Sequence, residues 1–174
     1  LVIDKHSIDI ILISASWLTD SSTFYIPGFS SYRADRFRGG TAIFIRSSIP
    51  HFGFVKSQFT FAESCTISIR LDNSVLKISS IYCSPSATRS QSKLFFNHIL
   101  NQSGPQIVSG DFNAKHIDWN NTSNDRKGSD LSKILNHLNF KIFKPNEPTL
   151  YPYNGDPSCV DFVVAKSYDS VSSV

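Results

Sequence analysis

The stretch Ser109-Gly110-Asp111-Phe112-Asn113-Ala114 follows the apolar run Pro105-Gln106-Ile107-Val108. That run reads as a buried strand, so an acid and an amide arrive at its carboxyl end two residues apart. On an extended chain this spacing points both side chains the same way. A carboxylate placed there can activate water while the neighbouring amide holds a phosphoryl oxygen. The pair is one half of a site for metal-assisted phosphodiester chemistry. Taken alone, it also fits a strand-end turn in which Asp and Asn bond local backbone.

Outward from this stretch, period-two runs dominate. Ile8 to Ile13 is nearly continuous apolar, as expected of a strand covered on both faces. Thr41-Ala42-Ile43-Phe44-Ile45 follows Gly39-Gly40 and reads the same way. Cys65, Ile67, Ile69 and Leu71 alternate with polar residues, and Val75 to Tyr82 comes straight after Asp72-Asn73-Ser74. Two runs around a short polar turn predict a β-hairpin. Later strands are expected at Gln106 to Ser109, Phe140 to Phe143 and Cys159 to Val164. Pro85 to Asn101 reads as a helix with Leu94, Phe95, His98 and Ile99 on one face. Asp130 to Asn139 reads as a second, with Leu131, Ile134, Leu135 and Leu138 at helical spacing, Ser129 or Asp130 as cap and Asn139 as its end. Hairpins with interspersed helices, rather than strict βαβ alternation, argue for an α+β layered fold.

The chain has 174 residues, with 40% hydrophobic and 18% charged residues, enough for one domain with a substantial core. A net charge of +3 is compatible with nucleic acid without requiring it. The three cysteines, Cys65, Cys83 and Cys159, are widely spaced and form no zinc pattern, so each is expected to be a small buried hydrophobe. No stretch is long and apolar enough to span a bilayer and no signal peptide is visible, which favours an intracellular, reducing compartment. The sequence begins at Leu1 and contains no methionine, so a piece of a longer polypeptide or a partial gene model is expected.

With five motifs in order, the chain resembles the endonuclease/exonuclease/phosphatase superfamily, and within it the apurinic-type endonuclease domain of non-LTR retrotransposons of the jockey or R1 kind. Asp9-Ile10-Ile11-Leu12-Ile13-Ser14 looks like the strand leading to the family's glutamate. Gly39-Gly40-Thr41-Ala42-Ile43 matches its "GGTAI" strand, and Tyr82-Cys83-Ser84-Pro85 its "Y-x-x-P" element. Ser109 to His116 matches "GDFNAKH", and Ser158-Cys159-Val160-Asp161-Phe162-Val163 its "S-x-I-D-F-V" strand. The resemblance implies a DNase I-like four-layer α/β sandwich, two packed and largely antiparallel sheets flanked by helices. Its function would be that of an endonuclease domain that nicks target DNA to prime reverse transcription. The partners it implies are DNA and a reverse transcriptase in cis, the cofactor is Mg2+, and the place of action is the nucleus. The residues transfer by position: Asp111 as activator of the attacking water, Asn113 as holder of the scissile phosphate, Tyr82 as hydroxyl donor to a phosphate oxygen, and Asp161 as partner of a histidine.

The sequence departs from the family at the metal-binding glutamate, which is Ala15 here. A methyl group cannot ligate a cation. The resemblance also places an Asn-bearing strand before Leu1 and an "S-D-H" element after Val174, so residues 1–174 are expected to be a single domain truncated at both ends. Impaired hydrolysis is the expectation. The alternatives are a catalytically dead remnant or DNA-binding module that keeps the fold, and a relative acting on phosphoinositide, sphingomyelin or a nucleotide. Assigned by its own chemistry, Tyr82 is either a core tyrosine or a site residue. Asp161, between Val160 and Phe162, is a carboxylate that is costly unless paired. His116 is either a base or a residue that packs and caps. Lys115, His116, Arg126 and Lys127 are candidates for contact with a nucleic-acid backbone. Arg33, Arg36, Arg38 and Arg46 form either a solvated loop or a phosphate-facing edge, and Trp17 and Phe37 either pack or stack on bases.

Overall fold

The computed structural model describes residues 2–18 and 24–167. Among them, nine strands form two sheets. The smaller has the order β1-β3-β2, with β1 at Ile10–Ser14, β2 at Phe29–Ala34 and β3 at Thr41–Arg46. The larger has the order β4-β5-β6-β7-β9-β8. Its strands are β4 Phe52–Gln58, β5 Ala62–Arg70, β6 Val75–Cys83, β7 Gln106–Asp111, β8 Lys141–Phe143 and β9 Asp161–Lys166. A one-turn helix, α1, spans Val2–Lys5. All pairings are antiparallel except β6 with β7, which are joined through helix α2, Arg89–Leu100. A second long helix, α3, spans Arg126–His137.

Alternation along the strands sorts side chains into three apolar clusters. Ile43, Ile45, Cys65, Ile67 and Ile78 meet between the sheets. Val108, Phe162, Val164 and Ile81 face the other way, onto Phe95, Phe96, Ile99, Leu131 and Leu135 of the helices. Phe29, Ala42 and Phe44 cover the outer face of the small sheet, against Ile3, Ile11 and Ile13. The layers are therefore helix, sheet, sheet and an outer apolar cover that includes the N-terminal turn, the α+β sandwich expected of the sequence.

The helices differ in detail from the sequence pattern. α2 begins at Arg89 rather than Pro85, because Thr88 closes a capping box with Gln91: the Gln91 N–H donates to Thr88 Oγ1 at 3.3 Å, and the Thr88 N–H to Gln91 Oε1 at 2.8 Å. Its buried face is Ser92, Phe95, Phe96, Ile99 and Leu100, while Leu94 and His98 are exposed. α3 begins earlier than expected, at Arg126, capped by Asp125, whose side chain accepts the Gly128 N–H at 2.6 Å. Asp130, expected as a cap, instead lies inside α3 and receives two bonds from Arg89. β2 and β4 were not expected from the sequence. β2 reads Phe-Ser-Ser-Tyr-Arg-Ala, and β4 is a largely exposed edge strand with an irregular register between Phe52 and Val55. Cys65, Cys83 and Cys159 are buried and unbridged, as expected. No helix of the described residues is long and apolar enough to cross a membrane.

Two features place the strand end of β7. Phe112 is fully buried, stacked on Phe162 with centroids 4.2 Å apart, and Trp119 stacks on the same ring at 4.9 Å. The Trp119 indole donates to the Ala114 carbonyl at 2.9 Å. Burying a ring of this size contributes roughly 2–3 kcal/mol, so the residue between Asp111 and Asn113 pins both. The second feature is Gly110, at φ +143°, where a Cβ would lie 2.0 Å from the Ile81 carbonyl oxygen of the parallel neighbour. Only glycine fits. Gly110→Ala is expected to lose about 3 kcal/mol or more, from overpacking and backbone strain together. Urea unfolding of the two proteins checks this; a loss under about 1 kcal/mol would contradict the close approach of β6 and β7.

Candidate active site

The register of the large sheet lines up four side chains on the face turned toward the small sheet. Glu63 pairs with Tyr82 across β5 and β6, Tyr82 with Asp111 across β6 and β7, and Asp111 with Asp161 across β7 and β9. Side chains in registered positions share a face and stand about 5 Å apart. The row therefore reads acid, phenol, acid, acid. From the small sheet, the end of β1 closes onto it: Ser14 Oγ donates to Asp161 Oδ1 at 3.2 Å. On β6, two residues before Tyr82, Ser80 Oγ donates to the Ile13 carbonyl at 2.8 Å and ties the two sheets beside the row.

The structure thus brings Tyr82, Asp111 and Asp161 together and places Asn113 beside them by a route other than the extended chain. Asn113 lies past the end of β7 with φ +44°, a left-handed turn. Its N–H donates to Asp111 Oδ1 at 2.9 Å, and its Nδ2 donates to the Cys83 carbonyl at 2.9 Å. The local-turn geometry weighed for the Asp–Asn pair is present, and it holds the amide against the end of β6 next to Tyr82. Asn tolerates the left-handed region better than most residues, which accounts for its use at this turn.

Burial and mutual repulsion perturb the row. Asp111 is pushed up to about 7, first by burial and then by the charge of Asp161, against the opposing pull of Asn113 and Lys127. The Tyr82 phenol is raised by burial and by the carboxylates on either side, Asp111 and Glu63. Glu63, only 1% exposed, is raised by burial although Arg36 bonds it. A base near neutrality beside a firmly protonated phenol is an arrangement suited to proton transfer next to an anionic substrate.

Glu63 and Ser14 did not stand out in the sequence. A signal for Glu63 exists: it continues the inward series Cys65, Ile67, Ile69 by one step of two, so an acid lies on a core-facing position. The glycine pair before β3 belongs to the same corner. A Cβ on Gly39 would sit 3.0 Å from the Tyr82 ring and 3.1 Å from Glu63 Oε2. The Gly40 N–H donates to Glu63 Oε2 at 3.3 Å, and the Gly39 carbonyl accepts from the Trp17 N–H at 2.8 Å.

Of the candidates for nucleic-acid contact, Arg126 is exposed, and Lys115, His116 and Lys127 are half-buried. His116 caps the 3-10 turn Ile117–Trp119, its Nδ1 accepting the Asp118 N–H at 3.2 Å, and lies against Trp119. This is the packing-and-capping alternative. Lys127 donates to the Pro85 carbonyl at 3.1 Å and is close enough to lower Asp111. Lys115 is half-buried beside α3, and Arg126 is exposed at the start of that helix. Trp17 and Phe37 are 65% and 76% exposed, so neither is a core side chain.

The donor set for a divalent cation is incomplete. Ala15 follows Ser14, next to Asp161, and presents a methyl group where the family resemblance calls for a carboxylate. Among the described residues no group of three His, Cys, Asp or Glu side chains stands close enough to hold a metal. Asp111 and Asp161 are the carboxylates present beside Ser14 for the cation that the resemblance implies, one fewer than the resemblance calls for.

The family model described as Endonuclease-reverse transcriptase matches residues 76–173. The chain is 33% identical over 168 residues to the probable RNA-directed DNA polymerase from transposon BS of Drosophila melanogaster, covering 92% of this chain and 18% of that protein. It is 28% identical to the RNA-directed DNA polymerase from mobile element jockey of Drosophila funebris, covering 97% of this chain and 19% of that protein. The chain thus spans less than a fifth of these relatives. The endonuclease domain of TRAS1, a telomere-specific non-LTR retrotransposon, superposes with a TM-score of 0.71 at 19% identity, over 97% of this chain and 77% of that domain, a likeness of fold. Matched by the family model over more than half its length and aligned with jockey-type sequences nearly throughout, this DNase I-like chain belongs to the endonuclease–reverse transcriptase family of non-LTR retrotransposons.

Proposed function

We propose that the domain binds duplex DNA by its phosphate backbone, and that its site is built to hydrolyse one phosphodiester and leave a 3′-hydroxyl for priming. The observation that carries this reading is the in-register row of Tyr82, Asp111 and Asp161, closed by Ser14. In this reading Asp111 takes a proton from water as the water oxygen bonds to phosphorus. The P–O3′ bond breaks, and the 3′ oxygen takes up a proton from solvent. Asn113, held by Cys83, offers an amide to the phosphoryl group, and the neutral Tyr82 hydroxyl donates to one of its oxygens. Asp161, held by Ser14, keeps the negative field that raises Asp111 into the range where a base works best. The parent polypeptide would supply the reverse transcriptase in cis, and the nucleus would be the place of action.

Mg2+ is the cation the family implies; a hard ion of this kind takes carboxylates and waters and neutralises charge on a leaving oxygen. With a methyl at Ala15 the donor set is short, so the same reading makes this copy a weak or inactive nuclease. A second reading, a DNA-binding module that keeps the fold without the chemistry, is favoured by that one residue. Loss of a supporting partner alone typically lowers metal affinity or activity by about 10–100-fold, and loss of a direct ligand should exceed that. In its natural polypeptide, Ala15→Glu is accordingly expected to raise Mg2+-dependent plasmid nicking by about 100-fold or more. Nicking by the unaltered protein at the rate of the Ala15→Glu variant would contradict the account.

The titration of Asp111 gives a separate test on metal-free protein. Folded Asp111 keeps its proton up to about 7, whereas the unfolded group releases it near 3.8. Between those values the folded state binds more protons, so Asp111 contributes stability below its unfolded pKa that is lost as pH rises through the folded one. Asp111→Asn, which carries no titration, should therefore gain on the wild type from about pH 4 to about pH 8, by on the order of 2–4 kcal/mol. Urea midpoints across that range, in chelator, check it; a stability difference that does not change with pH would contradict the burial and repulsion at this position.

A further inference from the structure

Arg36 lies in the loop between β2 and β3, and its guanidinium lies on the acidic row. Nη1 donates to Glu63 Oε1 at 2.5 Å, and Nη2 donates to the Thr60 carbonyl. Glu63 is 1% exposed and is held on its other oxygen by the Gly40 N–H. A carboxylate so buried is costly unless paired, and here it fixes a cation in one orientation.

The rest of the arginine cluster is engaged elsewhere. Arg33 bonds Asp35 through two nitrogens, Arg46 bonds Asp9 and the Ile8 carbonyl, and Arg38 sits over the exposed Phe37 ring. Arg36 bonds a member of the row directly, through Glu63. A guanidinium has five N–H donors in a planar fork. Glu63 and Thr60 occupy one each on the two terminal nitrogens, and 31% of the side chain remains exposed. Glu63 stands directly opposite Tyr82, so the anchored cation lies one strand from the phenol. Three carboxylates in the row repel a polyanion, and a cation held at their edge offsets that repulsion where a backbone phosphate would pass. The planar fork suits phosphate oxygens better than a point charge does.

We propose that Arg36, oriented by the buried Glu63, contacts a DNA backbone phosphate adjacent to the one that faces Tyr82 and Asp111. The inference rests on the DNA reading above and extends it: Arg36 is a substrate-binding residue, Glu63 a positioning residue. A purely structural ion pair would hold the loop without touching DNA, and the salt dependence of binding separates the two.

The test is fluorescence anisotropy of a labelled 20–30 base-pair duplex, titrated with this chain over a series of salt concentrations and without divalent ions. Arg36→Met combined with Glu63→Gln removes both charges together and leaves no unpaired buried ion. The double variant should bind about 3–10-fold more weakly at about 0.1 M salt, with the slope of log K against log salt reduced by about 1. Arg36→Lys keeps the charge and the pair with Glu63, so it should hold the wild-type slope while binding at least about 3-fold more weakly through loss of the fork. Circular dichroism confirms that each variant is folded, and Arg36→Lys carries the test if the double variant is not. Wild-type slope and affinity in the folded double variant, or wild-type affinity in Arg36→Lys, would overturn the Arg36 contact and leave the DNA reading standing. Absence of salt-dependent binding by the unaltered chain would overturn both.

Discussion

The site depends on the register of β6, β7 and β9. Side chains alternate faces along a strand, so a slip of one residue in either pairing would turn Asp111 away from Tyr82 or from Asp161. The parallel pairing of β6 with β7 is the more demanding of the two, because the chain must approach Ile81 so closely that position 110 has no room for a side chain. The aromatic stack of Phe112, Phe162 and Trp119 holds the same register from the helix side. Packing on one face of the sheet thus fixes the chemistry on the other.

That chemistry works against folding. Glu63, Asp111 and Asp161 occupy one row with a phenol between them, and burial raises the first two. The fold offsets the repulsion locally, with Arg36 on Glu63, Ser14 on Asp161, and Asn113 and Lys127 acting on Asp111. Such a concentration of like charge is poor design for stability alone, and it is what a site that handles a proton beside a phosphate requires. Ala15 stands at the same corner, one residue from Ser14, and carries a methyl group where the family resemblance calls for a carboxylate.

Much of this was legible in the chain. Ile10 to Ile13, Thr41 to Ile45 and the two runs around Asp72-Asn73-Ser74 form strands because their apolar periodicity admits little else. Asp111, Tyr82 and Asp161 were recognisable by motif, and the structure brings all three together. What escaped reading has physical causes. β2 and β4 lack a continuous apolar pattern, and β4 lies at an edge where one side meets solvent. The start of α2 is set by a Thr88–Gln91 capping box that outweighs Pro85, and that of α3 by Asp125 rather than by Ser129 or Asp130. Asn113 reaches the site through a left-handed turn, which spacing on an extended chain does not disclose. Glu63 and Arg36 are 27 residues apart in sequence, and their pairing is a product of sheet packing alone.

The central claim is that two carboxylates from adjacent strands stand side by side. Titration of the Asp111 side-chain carboxyl by 13C NMR, in the metal-free protein and in its Asp161→Asn variant, measures this directly. The account predicts a midpoint near 7 in the unaltered protein and a clear fall when the charge at 161 is removed. A midpoint in the ordinary carboxylate range, indifferent to that substitution, would contradict it.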